Sequence, residues 1–276
     1  MRFKDIYDLL KNAGIDNAQR EAALLAEKFC GISPSSLLTC ADQELESEDL
    51  LAAIRKRTER YPLQYILGEW YFFGEKYILD ESCLVPRPDT ELLVELAIER
   101  LPRSALFADL CTGSGCVAIS TLAHRPDCTS YAFELFEGTL EMAKKNAVLN
   151  GVEDRFIPVP ADVLEPINIF SQDAPPFDAI LSNPPYIKTS VIETLEKEVK
   201  HEPYAALDGG EDGLLFYREI LKNHSQLLKK EGFIAFEIGY DQGGEIRKIA
   251  AENSFDCEII KDYGGCDRVA FLKRFI

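Results

Sequence analysis

The chain has 276 residues, 46% of them hydrophobic, enough for one large domain or two ordinary ones, which excludes a disordered tail or a disulfide-stapled miniprotein. Its 30 Lys and Arg stand against 47 Asp and Glu, and the net charge of −17 argues against a direct nucleic-acid partner; the one dense basic run, Arg55-Lys56-Arg57 with Arg60, reads as a solvated helix face. Eight cysteines, at 30, 40, 83, 111, 116, 128, 257 and 266, include no C-x-x-C pair, and neither a leader pattern nor an apolar stretch of membrane-spanning length is visible, so the expectation is a cytoplasmic protein with free thiols, no metal and no membrane contact.

In chain order, Phe3, Ile6, Tyr7 and Leu10 share one helical face and Ala18, Ala22, Leu25, Ala26 and Phe29 another. Gly31 reads as a C-cap, Ser33-Pro34 as an N-cap with proline at the first helical position, and Ser47 as the N-cap of the Leu50, Leu51, Ile54 stripe. Residues 1–68 are thus expected to form a small helical bundle. Its lack of any chemistry-bearing cluster suggests a substrate-docking role. Trp70 to Phe73 and Lys76 to Leu79, separated by Gly74-Glu75, predict a β-hairpin linker over residues 69–85.

Residues 86–276 read as an α/β domain. After the Leu92, Leu93, Leu96, Ala97 stripe, strands are expected at Leu106–Leu110, Thr129–Glu134, Phe156–Pro160, Phe177–Ser182 and Phe233–Ile238, alternating with helices as in a parallel sheet. Cys257 to Lys261 and Arg268 to Phe275 are joined by a connection too short for a helical crossover. The sheet should therefore end in an antiparallel pair.

The first strand of this domain runs into Asp109-Leu110-Cys111-Thr112-Gly113-Ser114-Gly115, where glycines let a ligand approach the backbone and a helix start offers free N–H groups. Gly113-x-Gly115-x-x-Ala118 also satisfies the relaxed dinucleotide fingerprint, and Glu134 at the end of the second strand suits the ribose of either adenosylmethionine or NAD. Asp162, after the third strand, is placed to hold an adenine amino group, which favours the former. The fourth strand runs into Asn183-Pro184-Pro185-Tyr186. Its two prolines remove two N–H donors and fix φ, so the Asn183 side-chain carbonyl and the Pro184 carbonyl can accept both N–H groups of a planar amide or amine while Tyr186 packs on its face.

On these residues the chain resembles the release factor glutamine methyltransferase family. Further matching segments are Pro62 to Gly68, Val85-Pro86-Arg87-Pro88-Asp89-Thr90-Glu91, Glu202-Pro203 with Ala206-Leu207, Gly210 to Leu214, Tyr217-Arg218 and Phe236-Glu237-Ile238-Gly239. The resemblance implies a Rossmann-like, seven-stranded class I methyltransferase domain that uses S-adenosyl-L-methionine. It further implies methylation of the side-chain nitrogen of the Gly-Gly-Gln glutamine in peptide chain release factors, by a protein expected to be a monomer. Asp109, Cys111, Thr112, Gly113, Ser114, Gly115, Glu134, Asp162, Val163 and Asn183 would hold the cofactor. Asn183, Pro184, Pro185 and Tyr186 would bind the glutamine amide, with Asn183, Pro184 and Tyr186 acting in catalysis. Two positions depart from the family's usual residues: Cys111 stands for glycine and Glu134 for aspartate. The first is expected to disturb the loop, since a residue with Cβ does not freely adopt positive φ.

Overall fold

The computed structural model describes residues 1–33, 44–45, 47–167 and 177–275. They divide into two compact units, Met1–Trp70 with Leu195–His201, and Tyr71–Thr194 with Glu202–Ile276. In the first unit the apolar stripes produce α1 (Phe3–Asn12), α2 (Ala18–Cys30), α3 (Glu48–Thr58) and a short α4 (Leu63–Leu67). Ile6, Leu10, Leu25, Leu50 and Ile54 are each at most 3% exposed, so burial of these faces against one another holds the bundle. Gly31, at φ +69°, caps α2, and the Ser47 hydroxyl accepts the Leu50 N–H at 3.2 Å to start α3. The helix start expected at Ser33-Pro34 runs outside the described residues.

The basic run is not simply a solvated face. Arg57 is 6% exposed: its guanidinium donates to Glu21 at 2.5 Å and to Glu198, 141 residues downstream, at 3.1 Å, while Arg60 meets the same Glu198 oxygen at 2.7 Å. A buried guanidinium persists only with such partners.

β1 (Glu69–Phe72) and β2 (Glu75–Ile78) pair as a two-stranded sheet. Their turn is Phe73-Gly74, at φ +52° and +93°, one residue earlier than the sequence suggests, because two positive φ values match the twist of a tight hairpin. A 3-10 turn at Pro88–Thr90 then leads into α5 (Glu91–Arg100), β3 (Leu106–Leu110), α6 (Cys116–His124), β4 (Thr129–Glu134), α7 (Glu137–Leu149), β5 (Phe156–Pro160) and β6 (Phe177–Ser182). There follow α8 (Thr189–Ile192), α9 (Leu215–His224), β7 (Leu228–Glu237), α10 (Gly243–Glu252), β8 (Phe255–Lys261) and β9 (Asp267–Arg274).

The seven strands lie in the order β5-β4-β3-β6-β7-β9-β8, all parallel except β9, which runs against both neighbours. This is the expected architecture with its antiparallel ending. β7 starts earlier than expected, at Leu228, whose pairing with Phe177 carries the strand through the charged residues Lys229, Lys230 and Glu231. The chain begins the sheet at β3, proceeds outward to β5, then returns to β6 on the other side. The crevice at this reversal of strand order is where open α/β sheets take ligands.

One buried side chain fixes the hairpin strand to the sheet domain. Asn146 of α7, fully buried, accepts the Ile78 N–H at 2.7 Å and donates to the Ile78 carbonyl at 3.1 Å and the Ser114 carbonyl at 2.9 Å. It thus stands in for a neighbouring strand and steadies the glycine loop with the same amide.

Candidate active site

Register places the chemistry. Leu110 pairs with both Phe133 and Ser182, and Glu134 with Pro160, so the carboxyl ends of β3, β4, β5 and β6 lie side by side. They open onto a cavity of about 440 Å³, within the size range of small-molecule sites. Of the residues singled out from sequence, Cys111, Thr112, Gly113, Ser114, Glu134, Asp162, Val163, Asn183 and Pro185 line it. Asp109, Gly115, Pro184 and Tyr186 are not among the lining residues.

Asp109, 1% exposed, accepts the Thr112 hydroxyl at 2.6 Å and the Ala118 N–H at 3.2 Å, closing the loop onto the first turn of α6. Burial pushes its carboxyl up to about 7, against the pull of those two donors. Gly115, at φ +84°, leads into α6, where a Cβ would strike Ile119 at 2.6 Å. Gly113 is different: at φ +56° it has nothing within 4 Å of a Cβ, so it leaves open space on the cavity side. Cys111 does adopt the left-handed region, at φ +61°, a conformation costing roughly 1–2 kcal/mol for a residue with Cβ. The loop is held there by Thr112 N–H donating to the Phe133 carbonyl at 3.0 Å and Gly113 N–H to Glu134 at 3.1 Å.

Glu134 joins two loops. One oxygen takes the Gly113 N–H, the other the Leu135 and Phe136 N–H groups at 2.9 and 3.1 Å. Burial raises its pKa even so. The carboxylate retains lone pairs for the hydroxyls of a ribose. Asp162 accepts the Leu164 N–H at 2.9 Å, a local turn that holds its side chain at the cavity wall.

The Asn183 amide donates to the Thr90 hydroxyl at 3.1 Å. One of the two Nδ2 hydrogens is thereby bonded within the protein, and the Oδ1 end remains as an acceptor. Thr90 is 1% exposed and stands beside Glu237, whose carboxyl is pushed by burial up to about 7 while Thr90 and Arg268 pull it back. Tyr186 packs its ring on the sheet core and donates its hydroxyl to Glu237 at 3.4 Å; burial raises that hydroxyl's pKa.

Four residues with no role assigned from sequence complete the site. Thr90 orients Asn183, Glu237 holds Tyr186, and Gln242 donates to the Tyr186 carbonyl at 3.1 Å. Glu202 takes the Val85 N–H at 3.0 Å and the guanidinium of Arg87, which lines the cavity. Thr90, Glu202 and Glu237 lie within the matching segments quoted above. Their side-chain partners are remote in sequence, so position alone did not reveal their parts.

Residues 3–68 match the family described as PrmC N-terminal domain, and residues 88–234 the methyltransferase small domain. The release factor glutamine methyltransferase of Aquifex aeolicus is 35% identical over 262 residues, covering 93% of this chain and 92% of that protein. The protein of the same name from Thermodesulfovibrio yellowstonii is 37% identical over 235 residues, 83% and 82% of the two chains. A methyltransferase crystal structure from Pyrococcus furiosus shares the fold, with a TM-score of 0.54 at 20% identity over 73% of this chain and 89% of that one. On the extent of these matches, the chain belongs to the release factor glutamine methyltransferase family.

Proposed function

We propose that this protein transfers a methyl group from S-adenosyl-L-methionine to the side-chain amide nitrogen of the glutamine in the Gly-Gly-Gln loop of a peptide chain release factor, in the cytoplasm. The observation that carries the reading is the Asn183 amide, which is anchored by an N–H to Thr90 and whose carbonyl end remains to accept an N–H at the cavity wall. A substrate carboxylate would be repelled there; a primary amide is matched.

The cavity residues fit the methyl donor. Gly113 leaves the space a Cβ would fill, and Glu134 offers a carboxylate anchored by three backbone N–H groups. Cys111 to Gly115 would hold the amino-acid end, Glu134 the ribose, and Asp162 with Val163 the adenine. When bound, this group supplies an electrophilic sulfonium methyl.

The chain's own contribution is orientation. An amide nitrogen is a poor nucleophile because its lone pair is shared with the carbonyl. Asn183 Oδ1 and the Pro184 carbonyl, accepting its two N–H groups, fix the nitrogen and increase its electron density as it is methylated. Pre-orientation of this kind is worth up to roughly 7–11 kcal/mol. The proton then leaves from the more acidic N-methylated product. Tyr186 keeps the loop seated through Glu237.

The test is transfer of labelled methyl to purified release factor, against a factor whose Gly-Gly-Gln is changed to Gly-Gly-Ala. Label on the first alone supports donor, acceptor and residue together. Label on both places the acceptor elsewhere, and label on neither rejects the reading. Asn183→Ala should lose most turnover while binding of S-adenosylhomocysteine falls much less; equal losses would remove Asn183 from its role. The helical unit is proposed to grip the folded factor. Charge-reversing substitutions on its exposed surface should then raise KM for the factor and leave that for a short Gly-Gly-Gln peptide unchanged.

A further inference from the structure

Gln242, on the turn between β7 and α10, is only 6% exposed. Its Nε2 donates to the Tyr186 carbonyl and to the Gly213 carbonyl, both at 3.1 Å, and its Oε1 accepts the Gly239 N–H at 2.8 Å. The Tyr217 hydroxyl lies 3.3 Å from Oε1 and 2.9 Å from the Glu237 carbonyl. Only an NH2 group can face two carbonyls and only an oxygen can face an N–H, so these partners fix the orientation of the amide.

The peptide it holds is confined from other directions too. A Cβ at Gly209 would lie 2.7 Å from Tyr186 Cα, and one at Gly213 would lie 2.5 Å from the Tyr186 carbonyl oxygen. Backbone therefore presses on backbone at Tyr186. Upstream, Pro184 and Pro185 have φ locked by their rings, so little rotational freedom separates Tyr186 from the Asn183 and Pro184 carbonyls.

We infer that Gln242 is a positioning residue for methyl transfer: by clamping the Tyr186 carbonyl it holds the acceptor face of Asn183 and Pro184 in its working place. The inference rests on the function proposed above. Gln242 does not line the cavity, so its effect falls on turnover and not on affinity for the methyl donor. A residue that merely supported the fold would weaken both.

The test uses the full chain with Gln242→Leu and Gln242→Glu. Single-turnover methylation of a release factor is measured beside calorimetric binding of S-adenosylhomocysteine, with thermal melts to establish folding. Both variants should lose turnover by about a hundredfold, the scale of a small misplacement of reacting groups, with binding changed less than about threefold. In Gln242→Glu the new carboxylate faces two carbonyls, which raises its pKa; protonated, it regains one O–H donor. Its deficit relative to wild type should therefore narrow as pH falls from about 8.5 to about 6, whereas that of Gln242→Leu should not. Tyr186, Tyr217, Glu237, Asp241 and Asp267, the titratable groups near this turn, are common to all three proteins; because Glu237 itself titrates in this range, the comparison is repeated in a Glu237→Gln background, where the narrowing should persist.

Turnover within about threefold of wild type, parallel loss of binding, or a Gln242→Glu deficit independent of pH would each overturn the inference. An inactive wild-type chain would overturn the proposed function, and this inference with it. Should the variants not fold, hydrogen exchange of the Gln242 side-chain amide in the wild-type chain decides: strong protection is expected, and exchange at the solvent rate overturns the clamp.

Discussion

Thr90→Val removes one oxygen and keeps the volume of a buried side chain. In the wild-type chain Thr90 accepts the Asn183 N–H at 3.1 Å while standing beside the Glu237 carboxylate. A hydroxyl next to an ionised carboxylate turns its proton toward that charge, so it offers Asn183 a lone pair. The amide consequently keeps its Nδ2 end on Thr90 and leaves its Oδ1 end to accept. Valine removes this bias. One net hydrogen bond is worth about 0.5–1.5 kcal/mol, which as a loss of orientation corresponds to roughly a two- to twelvefold fall in kcat. Steady-state methylation of the release factor, with S-adenosylhomocysteine binding as the control, measures it. Thr90→Ser, which retains the oxygen, should recover most of the rate. Undiminished kcat in Thr90→Val, or Thr90→Ser as impaired as the valine variant, would refute the reasoning.

Further predictions concern charge. Burial raises the Glu237 carboxyl to about 7 from 4.5, so between those values the folded chain keeps a proton that the unfolded chain has released, and stability declines as pH rises. Turnover should change in the opposite sense, rising through about pH 7 as ionised Glu237 fixes Thr90 and Tyr186; Glu237→Gln should remove this rise and flatten part of the stability slope, to which Asp109 and the other buried carboxyls, Glu134 and Glu202 among them, also contribute. Arg87→Ala leaves the Glu202 carboxylate, 1% exposed, with only the Val85 N–H, and should cost about 1–3 kcal/mol in urea denaturation; adding Glu202→Gln should recover part of it. Arg57→Ala leaves Glu21 without its guanidinium partner and Glu198 with Arg60 alone, and should cost about 3–5 kcal/mol, with limited proteolysis showing new cleavage within residues 195–201. Protection unchanged there would show that the segment is held by other contacts.

Much of this architecture is legible along the chain because its signals are local. Alternating apolar strands, the glycine loop after β3 and the proline pair after β6 each occupy a few consecutive residues. Parallel connectivity then brings their ends together. Partnerships formed across long separations were not legible. Leu195–His201 joins the helical unit through Glu198, yet nothing in its composition points 141 residues back to Arg57. Thr90 and Asn183, 93 residues apart, are likewise a pair only once α5 and β6 are in place. At Cys111 a rule read from glycine proved too strict, because hydrogen bonds from its neighbours hold the positive φ. The hairpin turn shifted by one residue for a related reason: strand twist decided the turn type, and Phe73 accepted a positive φ to satisfy it.

The close approach of Gly209 and Gly213 to Tyr186 divides the cavity wall by its tolerance of change. Those contacts are between main chains, so the seat of the Asn183 loop depends on the path of the backbone and hardly on which side chains decorate the neighbouring stretch. Pro203, Tyr204, Ala205 and Ala206 also line the cavity, and Tyr204 is 53% exposed. Substitution there alters the shape of the entrance without moving the reacting groups. A new substrate preference can thus be selected in this stretch at small expense to the chemistry, while any side chain at the two glycines is paid for in turnover.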